Sequence, residues 1–170
     1  LATDIPVFDI NAACSGFVYG LHVANKMMDE KEEERPYALL IGSEQISRIL
    51  DMTSRSTCVL FGDGAAAVVL EKTKDNCFYS HVGASGNNEA LVCNGIHKPD
   101  AYVQMDGKEI FRFAVNKIPE EIEMMLNQSG LKQDEIDYVV CHQANERIIR
   151  HAQRKLKLPI EKFYMNIGEY

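Results

Sequence analysis

The sequence predicts an α/β chain with a mixed sheet, and three observations carry that prediction. Strand-like apolar runs at residues 5–10 and 137–141 each lead into a stretch whose apolar residues recur at helical spacing. Tyr37-Ala38-Leu39-Leu40-Ile41-Gly42 is a short, continuous apolar run, the pattern of a buried strand in a parallel or mixed sheet. Residues 58–71 carry apolar segments on either side of Gly62-Asp63-Gly64, a hairpin signal because such a turn requires positive φ.

In chain order, residues 5–10 read as a strand and residues 13–29 as a helix. Phe17, Leu21, Ala24 and Met28 follow one another at four, three and four residues, which gives one apolar face. The charged run from Asp29 to Arg35, ahead of Pro36, reads as a solvated helix end or turn. After the strand at 37–42 comes a loop rich in Ser, Arg and Thr over 43–57, and then the hairpin. Asp63 has no further oxygen ligands at calcium-loop spacing, so the turn accounts for it. Residues 72–104 are irregular apart from a strand at 78–84 and a Gly/Asn-rich loop at 83–88. Phe111, Val115, Ile118, Ile122 and Met125 define an amphipathic helix over 109–129, closed by Gly130. Pro119 inside it predicts a kink or a split. Asp137-Tyr138-Val139-Val140-Cys141 is a further strand, and a helix carrying Ile148, Ala152 and Leu156 starts near residue 145, with Pro159 beyond its end.

Hydrophobic residues make up 46% of the chain, enough for one globular body with a substantial core. Eighteen basic against 25 acidic residues give a net charge of −7, so the whole-molecule field favours neither nucleic acid nor anionic membrane. The apolar runs fall far short of the ~18 residues of a membrane span. The first residues also lack the pattern of a signal peptide. Nucleic acid and membrane are therefore not expected as partners, and a cytoplasmic location is. Five cysteines, at 14, 58, 77, 93 and 141, lack any C-x-x-C pairing, which favours free thiols in a reducing compartment and gives no reason to expect a metal. The chain opens without methionine, almost at once into a strand, and stops straight after another apolar run. It therefore reads as a piece of a longer protein.

Two residues carry candidate chemistry. Cys14 stands where the first strand gives way to a helix, among Ala12, Ala13, Ser15 and Gly16, which leave room around the sulfur. Unpaired amides and the positive end of the helix dipole favour a thiolate there, so Cys14 is a candidate nucleophile; a small core residue fits the same spacing. His142 occupies a second strand-to-helix junction, and open α/β sheets hold ligands at the carboxyl ends of their strands. A thiol and an imidazole at such junctions suit acyl transfer, although a histidine at a strand end can equally be structural. From Arg147 to Lys162 there are six basic residues against one acid, Glu161, a local positive face in an acidic chain. It suits either a solvated helix surface or a dock for an acidic partner or phosphorylated ligand.

Four segments in this order complete the reading: Asn11-Ala12-Ala13-Cys14-Ser15-Gly16-Phe17; Phe61-Gly62-Asp63-Gly64-Ala65; Met105-Asp106-Gly107-Lys108-Glu109-Ile110-Phe111-Arg112; and His142-Gln143-Ala144-Asn145-Glu146-Arg147-Ile148-Ile149. Together they resemble the beta-ketoacyl-acyl carrier protein synthase III family over about the central half of a typical member. The resemblance implies a thiolase-like α/β fold of mixed sheets with helix layers, incomplete here. Residues 1–72 would be the rear of the N-terminal half and carry the nucleophile, and residues 73–170 the front of the C-terminal half with the catalytic histidine. It implies that Cys14 takes a short acyl group from acyl-coenzyme A, which is a substrate, so that no cofactor is called for. The acyl-enzyme would condense with malonyl-acyl carrier protein, with His142 and an asparagine stabilising the enolate. Arg55 matches an arginine packing on the coenzyme A adenine, and Asn145 a residue contacting the pantetheine arm. Each has an ordinary alternative, as a surface-loop arginine and as a helix N-cap. Arg112 and Arg147 match basic residues proposed to receive the carrier protein. A homodimer is implied for the full-length protein.

The family's asparagine sits in a Gly-Asn-Thr-Ser motif expected just past Tyr170, and Asn166 is not its equivalent. The 170-residue piece is therefore expected to have little condensing activity of its own. A related synthase making a specialised product and a truncated, non-catalytic module are the alternative readings.

Overall fold

The computed structural model describes residues 4–29, 36–74, 77–95 and 102–169. The elements in order are α1 (Gly16–Asp29), β1 (Tyr37–Gln45), β2 (Asp63–Glu71), β3 (Leu91–Val92), β4 (Gln104–Met105), α2 (Gly107–Ser129) and α3 (Glu146–Leu156), with four short 3-10 turns besides among the described residues. The chain divides into two compact units, one of Leu1–Glu44 and Asp63–Val82, the other of Gln45–Gly62 and Gly83–Tyr170. These units interleave along the sequence, with Gln45–Gly62 grouped with the later chain. One reason is local: Val103 N–H donates to Ile49 O at 2.8 Å, which ties the 45–62 excursion to the later chain.

In the first unit β1 pairs with β2. Lys72 N–H donates to Pro36 O at 2.7 Å and the Tyr37 hydroxyl donates to Glu71 Oε1 at 3.0 Å. The end of β2 therefore lies beside the start of β1, and the strands run in opposite directions. A Cβ on Gly20 would sit 2.6 Å from Leu40 Cδ1, so glycine lets α1 close onto β1. Leu40 and Ala38 are half-buried, while Tyr37, Leu39 and Ile41 on the other face are exposed. The strand is thus covered on one side rather than two. The Asn25 carboxamide accepts from Lys72 Nζ at 3.1 Å, and His22 Nδ1 lies 2.6 Å from Ser80 Oγ, joining α1 to both flanks of residues 72–80.

Several strand expectations fail. Residues 58–60 form turns, Gly62 and Gly64 are not among the positive-φ residues, and β2 takes β1 as its partner, so the hairpin does not form. Residues 5–10 and 78–84 are not strands; among the described residues neither segment belongs to a sheet. The solvated end expected at 29–35 falls largely outside the described residues.

The second unit is built on two packed helices. Asp106 caps α2, its Oδ1 accepting from Lys108 N at 2.9 Å and Glu109 N at 3.2 Å, and Gly130 closes it at φ 73. Pro119 is fully buried within α2, and the helix runs through it as one element without splitting. Ile149, Ala152, Leu156, Leu158 and Phe163 form the core, flanked by Ile118 and Ile122 of α2 and by Ile136, Val139 and Cys141. The expected strand at 137–141 is reduced to one parallel bridge, Val139 to Phe163. A two-residue antiparallel pairing of β3 with β4 sets Leu91 opposite Met105 and Val92 opposite Gln104.

Candidate active site

Cys14 lies in the first unit, in a 3-10 turn, Ala13–Ser15, that runs directly into α1. Asn11 Oδ1 accepts from Ala13 N–H at 3.2 Å and Ser15 N–H donates to Ala12 O at 3.0 Å, tightening the turn. Ala13 is left-handed at φ 47, a conformation that costs an L-residue about 1–2 kcal/mol. The Cys14 thiol is exposed, so the core-residue alternative does not hold in this chain. None of the five cysteines is in a disulfide.

The other five candidates, Arg55, Arg112, His142, Asn145 and Arg147, lie in the second unit. His142 follows the Val139–Phe163 bridge by three residues. Val139 N–H donates to Lys162 O at 2.7 Å and Tyr164 N–H to Val139 O at 3.1 Å, so two parallel segments end on the same side, where His142 leaves the pairing. The His142 side chain reaches the surface, yet surrounding protein displaces enough water to hold its pKa below the ordinary imidazole value. Burial also pushes the neighbouring Cys141 thiol up, which favours its protonated form.

Asn145 is the N-cap of α3, its Oδ1 accepting from Arg147 N–H at 2.9 Å. The cap role weighed at the sequence level is therefore present. Arg147 is exposed in the first turn of α3. The basic face of this helix is narrower than its composition suggests. Arg150, still half exposed, pairs with Glu146 at 2.6 Å, and Lys162, beyond the helix end, turns its Nζ to the carbonyls of Asp134 and Ile136, so part of this charge is met within the protein. Arg112, on α2, is well exposed and pairs with Glu109 at 2.9 Å, an exposed contact worth little to stability.

Arg55 is exposed on a loop that local hydrogen bonds shape. Asp51 Oδ1 accepts from Thr53 Oγ1 at 2.6 Å and from Thr53 N–H at 2.9 Å, bonds that hold its carboxyl below the usual carboxylate range. Ser54 O accepts from Thr57 N–H and Cys58 N–H, and the Thr57 side chain is buried beneath. At this loop, Asp51, Ser54, Ser56 and Thr57 line a cavity of about 360 Å³ together with residues 102–105. A cavity of that size is at the lower end of those that hold small molecules. Among the described residues no cluster of His, Cys, Asp and Glu could hold a metal ion, and no helix is long and apolar enough to cross a membrane.

Two positioning elements escape the sequence reading. Asp106 had a signal, since Asp106-Gly107-Lys108-Glu109 has the spacing of a capping motif. Gln143 had none: the two partners its side chain finds on the neighbouring segment, Tyr164 and Asn166, lie 21 and 23 residues downstream.

Residues 8–86 match the family model for 3-oxoacyl-[acyl-carrier-protein] synthase III, and residues 126–170 match its C-terminal counterpart. The chain is 43% identical over 176 residues to the beta-ketoacyl-[acyl-carrier-protein] synthase III of Clostridium botulinum (strain 657 / Type Ba4), across 96% of this chain and 53% of that one. It is 44% identical over 170 residues to the Acholeplasma laidlawii protein of that name, across 98% and 52%. The solved 3-oxoacyl-[acyl-carrier-protein] synthase III of Aquifex aeolicus VF5 superposes with a TM-score of 0.87 at 38% identity, covering 99% of this chain and 54% of that one. The Pseudomonas aeruginosa PAO1 enzyme superposes at 0.83 with 34% identity, covering 95% and 52%. The chain thus spans about half the length of the relatives it matches and shares the thiolase fold of those solved structures. With both matched segments in family order and an α/β architecture that superposes on its solved members, the chain belongs to the 3-oxoacyl-[acyl-carrier-protein] synthase III family.

Proposed function

We propose that the complete protein is a carbon–carbon-bond-forming acyltransferase that joins a short acyl group, acetyl or similar, to malonyl-acyl carrier protein and so starts fatty-acid chains. The observation that carries this reading is the match to both family models, backed by 43–44% identity to relatives bearing the synthase name. Residues 1–72 and 73–170 would then belong to the two similar halves of a cytoplasmic homodimer's subunit.

The chemistry follows from the residue types. The Cys14 thiolate attacks the thioester carbonyl of an acyl-coenzyme A; the bond from that carbonyl to the coenzyme A sulfur breaks, and the acyl group stays on Cys14. Malonyl-acyl carrier protein loses carbon dioxide, and the electron pair of the broken carbon–carbon bond becomes an enolate. The enolate carbon attacks the Cys14 acyl carbonyl, and the carbon–sulfur bond to Cys14 breaks to return the thiolate. His142, whose depressed pKa favours the neutral ring near pH 7, has one N–H to donate to the enolate oxygen. Arg55, exposed beside the loop cavity, would take the coenzyme A adenine, and Asn145 the pantetheine arm. Arg112 and Arg147, both exposed, would receive the acidic carrier protein.

Incubation of the complete protein with labelled acetyl-coenzyme A tests the reading. Label is expected on Cys14 and lost in Cys14→Ala. Absence of label, or label that survives the substitution, would sink the proposal.

A further inference from the structure

Around His142 the two parallel segments stop pairing in an unusual way. Val139 makes the bonds of a regular parallel ladder, receiving Tyr164 N–H and donating to Lys162 O. The next rung in that register belongs to Cys141, whose amide would donate to Tyr164 O and whose carbonyl would accept from Asn166 N–H. Neither bond is formed by Cys141. The carboxamide of Gln143 takes both places: its Nε2 donates to Tyr164 O at 3.1 Å, and its Oε1 accepts from Asn166 N–H at 3.1 Å. The same Nε2 donates to the displaced Cys141 O at 2.9 Å.

A side-chain amide offers the same donor and acceptor as a peptide unit, with a second N–H to spare. Gln143 thereby extends the ladder by one rung while holding the two backbones a side chain's width apart. All three bonds bracket His142, the residue between Cys141 and Gln143. If the carboxamide were absent, Cys141 would be free to close the rung itself and draw His142 toward the neighbouring segment.

We propose that Gln143 is a positioning residue for His142, a carboxamide spacer that ends the Val139–Phe163 ladder and fixes where the imidazole leaves it. The inference rests on the proposed role of His142 in condensation. A shift of about 1 Å in a group that meets the transition state can lower the rate about a hundredfold. Gln143→Ala in the complete protein is therefore expected to lower kcat for condensation by about a hundredfold. KM for malonyl-acyl carrier protein and the rate of acetyl transfer to Cys14 should stay near their original values. Gln143→Met, similar in size but without the amide, should behave alike, so that the loss tracks the hydrogen bonds and not the volume. Adding Gln143→Ala to His142→Ala should cause little further loss, because the first acts through the second.

Amide hydrogen exchange supplies a readout independent of activity, since Asn166 N–H should lose protection in both Gln143 variants. Should Gln143→Ala fail to fold, Gln143→Met carries the test. If His142→Ala condenses normally, the proposed function fails. If His142→Ala is impaired but both Gln143 variants keep their kcat, or if their losses multiply with that of His142→Ala, the spacer inference is overturned.

Discussion

Asn145 combines two tasks that a pair of substitutions can separate. Its Oδ1 accepts Arg147 N–H at 2.9 Å and so caps α3, the helix that contributes Ile149, Ala152 and Leu156 to the core. Loss of such a cap costs about 0.5–2 kcal/mol, typically about 1. Asn145→Ala removes it. Asn145→Asp keeps an acceptor in the same place and adds a negative charge at a helix N-terminus, favourable by about 0.3–1 kcal/mol. With a urea dependence of about 1–3 kcal/mol/M, Asn145→Ala should lower the unfolding midpoint by about 0.3–1 M, while Asn145→Asp should hold it level or raise it.

Catalysis should divide the variants differently. Both lack the side-chain N–H2 that the proposed pantetheine contact uses, and a hydrogen bond worth about 0.5–1.5 kcal/mol corresponds to about 2- to 12-fold in affinity. KM for acyl-coenzyme A should rise by that factor in each. Urea titrations at unchanged slope and initial rates on the complete protein check both halves. If Asn145→Asp is as unstable as Asn145→Ala, the cap argument is wrong; an Asn145→Asp enzyme with unaltered KM would refute the pantetheine contact.

The two left-handed helix ends predict opposite shifts. Lys157 closes α3 at φ 55, where glycine avoids the ~1–2 kcal/mol left-handed cost but gives back part of it in unfolded-chain entropy, so Lys157→Gly should stabilise by about 0.5 kcal/mol. Gly130 closes α2 at φ 73 with open space where a Cβ would stand, and Gly130→Ala should destabilise by about 0.5–1 kcal/mol, both read from urea midpoints. His142 predicts a pH effect: its folded pKa lies below the unfolded value of about 6.5, so the unfolded chain takes up the proton first. Its contribution should be complete above that value and lost as pH falls through it toward the folded pKa. Unfolding midpoints measured from pH 8 to pH 5 should therefore fall less steeply in His142→Gln.

How far the sequence could be read depended on how local the cause was. The three helices were legible because apolar spacing, Asn145 as cap and Gly130 as closing glycine all act within a few residues. Cys14 at a helix start and His142 beyond a pairing segment were legible for the same reason. The strands were not. Asp63–Glu71 pairs with Tyr37–Gln45, so Gly62-Asp63-Gly64 is an entry into a strand and not a turn between two. Nothing local distinguishes those cases, because partner choice depends on segments far apart in sequence. The proline in α2 misled for a related reason. Pro119 is held within the core of its unit, and the surrounding packing carries the helix through a residue that would weaken it in isolation.

The second unit also links its chemistry to its core more closely than the exposure of its site residues implies. Ile149 and Ala152 are fully buried on the helix that Asn145 caps, and Val139 and Phe163, which form the bridge ahead of His142, pack in the same cluster. The segment from Cys141 to Arg147 therefore spans two supports that share one core. A cavity from Ile149→Ala would cost about 2–5 kcal/mol, and it would loosen the bridge and α3 together. The polar devices of the junction, the Asn145 cap and the Gln143 carboxamide, set geometry over a few ångströms, but they do so between apolar anchors that fix the two ends. The segment thus leaves His142 and Arg147 exposed while both of its ends are anchored in the core.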